Sequence, residues 1–86
     1  MDEIEATVKR FIMEEFLPGE DPAELTDTTP LVTGAILDSV SLTRLVVFLD
    51  ETFGIQMKPH EVSSDRMNTL AGIAQLVRSK QAEQKS

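Results

Sequence analysis

Residues 34–54 read GAILDSVSLTRLVVFLDETFG, and this stretch decides the fold. Its apolar residues recur every three or four positions, the spacing that gives an α-helix one apolar face. Asp38 is a favourable N-cap and Gly54 a favourable C-terminal stop, so the stretch predicts a long helix between them. The stripe is wide enough to predict the most buried helix of the domain; its members are Leu42, Leu45, Val46, Val47, Phe48, Leu49 and Phe53.

A second amphipathic pattern opens the chain, and a long polar loop follows it. Apolar residues at helical spacing predict a first helix from about Asp2 to Leu17, ended by Pro18-Gly19. Residues 18–37 are rich in Pro, Gly and Thr and predict a loop, which at this length is typical of a functional segment. We expect five aliphatic side chains to hold this loop against the core: Leu25, Leu31, Val32, Ile36 and Leu37.

The last third of the chain predicts two more helices. A short helix is expected between His60 and Met67, and a final one begins at Leu70 after a cap at Asn68 or Thr69. The fold class is therefore all-α. We predict a four-helix bundle of three longer helices and one short helix, with a long loop between the first two.

Composition limits the number of domains and the kinds of function that the chain can have. The 86 residues predict a single domain, residues 1–86, with a core over about 2–80 and a polar tail, 81–86, that frays. The absence of cysteine excludes disulfides and thiolate metal sites, and it means that the chain has no thiol of its own. The acidic start has no long apolar stretch, so neither a signal peptide nor a membrane span is expected and a cytoplasmic location follows.

The charge pattern and the lack of metal-ligand spacing argue against nucleic-acid binding, membrane binding and metal binding. The net charge is −7, and residues 1–38 hold ten acidic and two basic residues. Such a surface disfavours nucleic acid and anionic membranes and favours basic protein surfaces. His60 is the single histidine, and the acids of the loop do not have the spacing of a calcium site. We expect no metal, and we expect Met13, Met57 and Met67 to fill the core.

Ser39 is the residue that decides between an enzyme and another class of protein. It stands where the loop gives way to the long helix, between an aspartate and a valine. The sequence supplies neither a general base for it nor a Gly-x-Ser-x-Gly nucleophile turn. A serine presented at a helix start without catalytic partners indicates an attachment point, which needs no base of its own when another enzyme activates it.

The chain resembles the family of acyl carrier and peptidyl carrier proteins. The resemblance covers nearly the whole chain: an acidic first helix, a long Pro-containing loop, and Asp38-Ser39-Val40 about halfway along. A long helix ending in Phe53-Gly54-Ile55 and a capped final helix complete it. The resemblance implies a monomeric carrier that holds a cargo for enzymes and catalyses nothing itself.

The resemblance also implies the chemistry at Ser39. The serine hydroxyl would attack the β-phosphate of coenzyme A in a reaction run by a phosphopantetheinyl transferase with Mg²⁺. The product is a covalent 4′-phosphopantetheine arm whose thiol holds acyl or aminoacyl cargo as a thioester. Asp38 would cap the helix and help the transferase to position coenzyme A or the metal. The other implied partners are a loading enzyme, either an adenylation enzyme or an acyltransferase, and downstream synthase or tailoring enzymes.

Partner contacts are implied for the exposed side of the long helix. Val40, Val47 and Met57 would form a small apolar docking patch, although Val47 fits the core equally well. Charged residues on the same helix would lie in solvent and influence partner encounter. The full set of expected partner-binding residues is Val40, Arg44, Val47, Asp50, Glu51 and Met57.

The residues around Ser39 also resemble one subgroup more than others. Carriers of fatty-acid synthesis have acids two and five residues after the serine, where this chain has Ser41 and Arg44. The segment Gly34-x-Ile-Leu-Asp-Ser is similar to that of discrete, freestanding carriers in polyketide and nonribosomal peptide biosynthesis, some loaded with amino acids such as proline. The alternatives are a fatty-acid carrier, a helical interaction module and, least in keeping with the residues, a hydrolase using Ser39.

Overall fold

The computed structural model describes residues 3–58, 62 and 64–85, and these residues form helices joined by loops and turns. The helices are α1 (Glu3–Phe16), α2 (Ser39–Phe53), α3 (Ser64–Met67) and α4 (Leu70–Lys85), and the long loop contains a short 3₁₀ turn at Pro22–Glu24. No strand occurs in the described part of the chain. The all-α prediction is confirmed, with three longer helices, one short helix and the long loop between α1 and α2.

Helix ends follow the local sequence signals. The first turn of α1 holds Glu3 and Glu5, which the positive end of a helix favours. After Phe16 the chain turns through Gly19, whose φ of 87° lies in the left-handed region that glycine adopts most easily. At the end of α2, Gly54 adopts a φ of 64° and forms the predicted left-handed C-cap.

The core is centred on α4, which packs against α1, α2 and α3. Five of its apolar side chains are buried, Leu70, Ile73, Ala74, Leu76 and Val77, and Lys80 is buried as well. In α2 only Leu45 and Leu49 are fully enclosed, because the helix lies at the edge of the bundle and turns part of its apolar surface to solvent. The prediction that the second helix is the most buried is therefore wrong.

Aromatic rings join α1 to α2. The ring of Phe11 stacks on Phe48 with centroids 4.1 Å apart and meets the edge of Phe16 at 5.6 Å. Met67 is fully buried and Met13 is partly buried against the same core, as expected for methionines that fill it. These contacts fix α2, and with it the start of α2, relative to the bundle.

The long loop is fastened to the junction between α3 and α4. Leu31 N–H donates to the backbone carbonyl of Asn68 at 2.6 Å, and Val32 and Thr33 N–H both donate to its side-chain Oδ1 at 2.8 and 3.0 Å. Thr69 is the residue that caps α4, since its Oγ1 accepts from Gly72 N–H at 3.0 Å. Of the two predicted caps, Thr69 therefore caps the helix while Asn68 holds the loop.

Helix α4 differs from prediction at its C-terminal end. Residues 81–85 are helical, where the sequence predicted a frayed tail. Gln, Ala, Glu and Lys are all good helix formers, and Lys80 pairs with Glu83 at 3.1 Å one turn along. Propensity and this ion pair continue the helix beyond the apolar stripe that defined the prediction.

Candidate functional site

A tight turn over residues 31–37 leads directly into α2. The carbonyl of Leu31 accepts from Ile36 and Leu37 N–H, both at 2.9 Å. A side chain at Gly34 would collide with the Pro30 carbonyl oxygen, so only glycine fits there. Ala35 carries the left-handed backbone, with a φ of 62°. The sequence alone did not predict that Gly34 is needed for close approach to Pro30 while its neighbour Ala35 adopts the left-handed backbone.

Asp38 is the N-cap of α2, as predicted. Its Oδ1 accepts from Ser41 N–H at 2.8 Å, and its backbone carbonyl accepts from Leu42 N–H at 2.8 Å. The Ser41 backbone N–H, and after it the Ser41 side chain, hold the pKa of Asp38 below its ordinary value. The carboxylate is therefore ionised at neutral pH and fixes the backbone direction at the first turn.

Ser39 is exposed at the first position of α2. Its carbonyl accepts from the Thr43 hydroxyl at 2.9 Å, whereas its own Oγ has no hydrogen bond to any described residue. The hydroxyl therefore stands clear of the helix, at the end where the backbone dipole is positive. The position offers an exposed hydroxyl oxygen at a helix end that favours negative charge, an end that it shares with the Asp38 carboxylate.

An apolar groove begins at Ser39 and has a volume of about 470 Å³. It runs beside α2 toward the segment that follows the helix, and its lining residues are Ser39, Leu42, Thr43, Val46, Met57 and Val62. Met57 was expected beside Val40 and Val47 on the outer face. Instead it is only 8% exposed, packs in the core and lines this groove. The prediction that Met57 fills the core is therefore confirmed, and its predicted place in the outer patch is wrong.

Asp50 explains the position of Met57. Its Oδ1 accepts from the Met57 backbone N–H at 3.1 Å, and the aspartate is half-buried. This bond draws the segment after Gly54 back along α2. Asp50 was expected as a charge on the solvent face, and the structure corrects this: its carboxylate holds the chain next to the groove.

The other predicted partner-binding residues share one exposed face of α2. Val40 and Val47 are 65% and 50% exposed, and Arg44 lies between them on the same stripe. Glu51 continues the stripe by one more turn and is also exposed. We call Val40, Arg44, Val47 and Glu51 the α2 face. Val47 was expected either in the core or in the docking patch, and the structure places it on the surface.

Metal sites and membrane-spanning helices are two further features that bear on function. Among the described residues, no three His, Cys, Asp or Glu side chains are grouped so that they could hold a metal ion. His60 lies outside the described residues. None of the described helices combines the length and apolar content needed to cross a membrane.

The exposed Ser39 hydroxyl at the start of α2 is accessible to another protein, as a site of enzymatic modification must be. A family model described as a phosphopantetheine attachment site matches residues 10–77 of this chain. The chain therefore belongs to the phosphopantetheine-attachment family. A search among curated proteins finds no match.

Membership of this family defines the domain as a site of covalent 4′-phosphopantetheine attachment. It indicates a carrier rather than a catalyst. Carrier domains of this kind interact with phosphopantetheinyl transferases and with the enzymes that use the attached group.

Proposed function

We propose that this chain is a freestanding carrier whose 4′-phosphopantetheine is attached to Ser39. The observation that supports the proposal most strongly is the exposed Ser39 hydroxyl, free of hydrogen bonds to described residues, at the first position of α2. The nearby Ser41 is a poorer candidate because it is half-buried and its side chain and N–H both face the Asp38 carboxylate.

The surroundings of Ser39 fit a phosphodiester. The first turn of α2 places its positive end at the serine, which stabilises a negative group there. The adjoining groove offers apolar surface within reach of an arm attached to Ser39. When attached, phosphopantetheine supplies the thiol that this cysteine-free chain lacks, and that thiol carries acyl or aminoacyl cargo as a thioester.

Transfer of the group places simple demands on the chain. The Ser39 Oγ must reach the β-phosphorus of coenzyme A in the transferase and lose its proton to a group of that enzyme. The new O–P bond replaces the pyrophosphate bond, and adenosine 3′,5′-bisphosphate leaves. Asp38 keeps the backbone of the first turn in place through its bond to Ser41 N–H. Its ionised carboxylate, beside the serine, is available to position coenzyme A or Mg²⁺ in the complex.

We infer that the α2 face is the docking surface for the transferase, the loading enzyme and the downstream enzymes. Val40 and Val47 are the large apolar side chains most exposed in the described structure, and both lie on the helix that presents Ser39. Apolar side chains exposed together mark an interaction site more strongly than single ones. Val40→Asp should raise the KM of the transferase reaction without unfolding the domain, whereas Gln75→Asp on α4 should leave KM unchanged.

The cargo we propose is an amino acid or a related acyl group of natural-product biosynthesis. The support is the segment Gly34-x-Ile-Leu-Asp-Ser and the exposed Arg44, which stands where fatty-acid carriers have an acid. Modified protein should accept proline from a freestanding adenylation enzyme at least tenfold faster than malonate from an acyltransferase. The reverse preference would favour the alternative, a carrier of fatty-acid synthesis.

Attachment is tested by intact-mass measurement after incubation with coenzyme A, Mg²⁺ and a broad-specificity transferase. We expect the wild-type chain and Ser41→Ala to gain one phosphopantetheine and Ser39→Ala to gain none. Ser39→Ala removes no hydrogen bond among the described residues, so its free energy of unfolding should stay within about 0.5 kcal/mol of wild type. Modification of Ser39→Ala, or no modification of the wild type, would overturn the proposal.

A further inference from the structure

A second concave site lies away from the α2 face, between the end of α1 and the long loop. It is a slot of about 210 Å³. Four apolar side chains line it, from α1, the loop and the turn before α2: Met13, Leu17, Leu25 and Ile36. Thr29 and three acids complete the lining: Glu20, Asp21 and Glu24. We call these eight residues the acidic slot. Neither the Ser39 groove nor the α2 face shares a residue with it.

The carboxylates of the slot have few partners. Asp21 Oδ1 accepts from Ala23 N–H at 2.9 Å, which caps the 3₁₀ turn. Glu20 and Glu24 are exposed and form no ion pair with a described residue. Lys9 and Arg10 line a neighbouring depression, and neither appears in the lining of the slot.

The arrangement suits an extended cation better than a compact one. The three acids of the slot do not converge closely enough to hold a metal ion, since no such group exists among the described residues. A cation with an apolar stem could cover the aliphatic lining and still reach the carboxylates. Arginine and lysine side chains have this form, with a hydrocarbon stem and a charged head.

We propose that the acidic slot receives an arginine side chain from a partner enzyme of the carrier. The guanidinium is flat, weakly hydrated and able to bridge separate carboxylates, which distinguishes it from the compact ammonium of lysine. Its stem would lie on Leu17 and Leu25, with the head between Glu20 and Glu24. All eight slot residues fall within residues 1–38, which hold ten acidic and two basic residues, and this net negative charge attracts a basic partner surface.

This contact is additional to docking at the α2 face, and it rests on the proposed function only in requiring a partner enzyme. The slot itself is tested on the unmodified chain without any transferase. A failure here therefore leaves attachment at Ser39 untouched, and a failure of attachment leaves the slot untouched.

The first experiment titrates n-butylguanidinium into isotopically labelled protein and follows the methyl signals by NMR. We expect saturable shifts at Met13, Leu17, Leu25 and Ile36, without matching shifts at Val46 in the Ser39 groove. The neutral analogue n-butylurea should bind at least tenfold more weakly. Equal binding of both compounds, or shifts spread over the whole acidic surface, would overturn the proposal.

Matched variants distinguish binding in the slot from nonspecific attraction to the negative charge of the whole protein. Glu20→Gln with Glu24→Gln should weaken n-butylguanidinium at least fivefold. Glu15→Gln with Asp65→Asn removes the same charge from exposed positions outside the slot and should change affinity less than twofold. Equal losses in the two double variants would reduce the effect to nonspecific attraction and contradict the assignment.

A peptide experiment tests whether the slot accepts a guanidinium that is part of a polypeptide, as an arginine side chain is. An acetylated, amidated Gly-Leu-Arg-Leu-Gly peptide should shift the same four methyl-bearing residues and compete with n-butylguanidinium. The same peptide with citrulline in place of arginine should not. Binding of the free cation without binding of the arginine peptide would show a small-molecule site and overturn the assignment to a partner enzyme.

Discussion

Replacing Asn68 with leucine removes the acceptor that fastens the long loop to the start of α4. Two backbone N–H groups, of Val32 and Thr33, donate to the Asn68 Oδ1 at 2.8 and 3.0 Å. The bond from Leu31 N–H to the Asn68 backbone carbonyl survives the substitution. Asn68→Leu therefore removes only the side-chain part of this attachment and keeps a side chain of similar size.

The cost follows from the burial of the two donors. Val32 is half-buried, and a donor left without an acceptor in such a place costs about 1–3 kcal/mol. Thr33 is exposed, so water can replace the lost acceptor and the cost is about 0.5 kcal/mol. The sum is centred on about 2.5 kcal/mol, which for a domain of this size lowers Tm by roughly 10–20 °C.

Asn68→Asp is the matched control. It keeps an oxygen acceptor for both N–H groups and loses only the Nδ2 donation to the Thr33 hydroxyl at 3.2 Å. We expect a loss below about 1 kcal/mol, because that bond is exposed to water. The assay is thermal and urea unfolding followed by circular dichroism at neutral pH. Equal losses for the two variants, or a loss below about 0.5 kcal/mol for Asn68→Leu, would refute the reasoning.

Three further predictions concern single positions. Gly34→Ala should destabilise the domain more than Gly19→Ala in urea unfolding: a Cβ at Gly34 meets the Pro30 carbonyl, whereas at Gly19 it meets nothing and only the left-handed backbone costs about 1 kcal/mol. The lowered pKa of Asp38 means that its stabilising effect is complete above the pKa of the unfolded chain and is lost as pH falls through the folded value. Asp38→Asn keeps a good cap but not the charge, so its Tm should approach that of wild type on acidification below about pH 4; a constant difference would contradict this. Asp50→Ala should cost about 1 kcal/mol and release the Met57 segment, while Glu51→Ala should cost under about 0.5 kcal/mol in the same unfolding assay.

The helices could be predicted because each carries its own signals. Apolar spacing located α1, α2 and α4, and the caps at Asp38 and Gly54 placed the ends of α2. The Ser39 position could also be predicted, since it depends on where the loop ends and the helix begins. These features are local, so the residues next to them in the sequence are enough to predict them.

The remaining features depend on packing between distant segments. The hydrogen bonds of Asn68 join residues 35 and 36 positions apart, and no local pattern indicates them. The burial of Met57 follows from a bond to Asp50, which reads in sequence as an ordinary surface acid. The stripe of α2 could not reveal which of its valines faces solvent, because the positions of α1 and α4, which both pack against α2, decide that. The acidic slot could not be predicted for the same reason, since its lining comes from three separate segments.

The most direct test of the central claim is to locate the attached group on the wild-type protein. After transferase treatment, fragmentation of the peptide that contains residues 34–54 should place one phosphopantetheine on Ser39, with Ser41 unmodified. The modified protein should then present one thiol that is absent before treatment, because the chain has no cysteine. A group located on Ser41, or on a serine outside α2, would contradict the account.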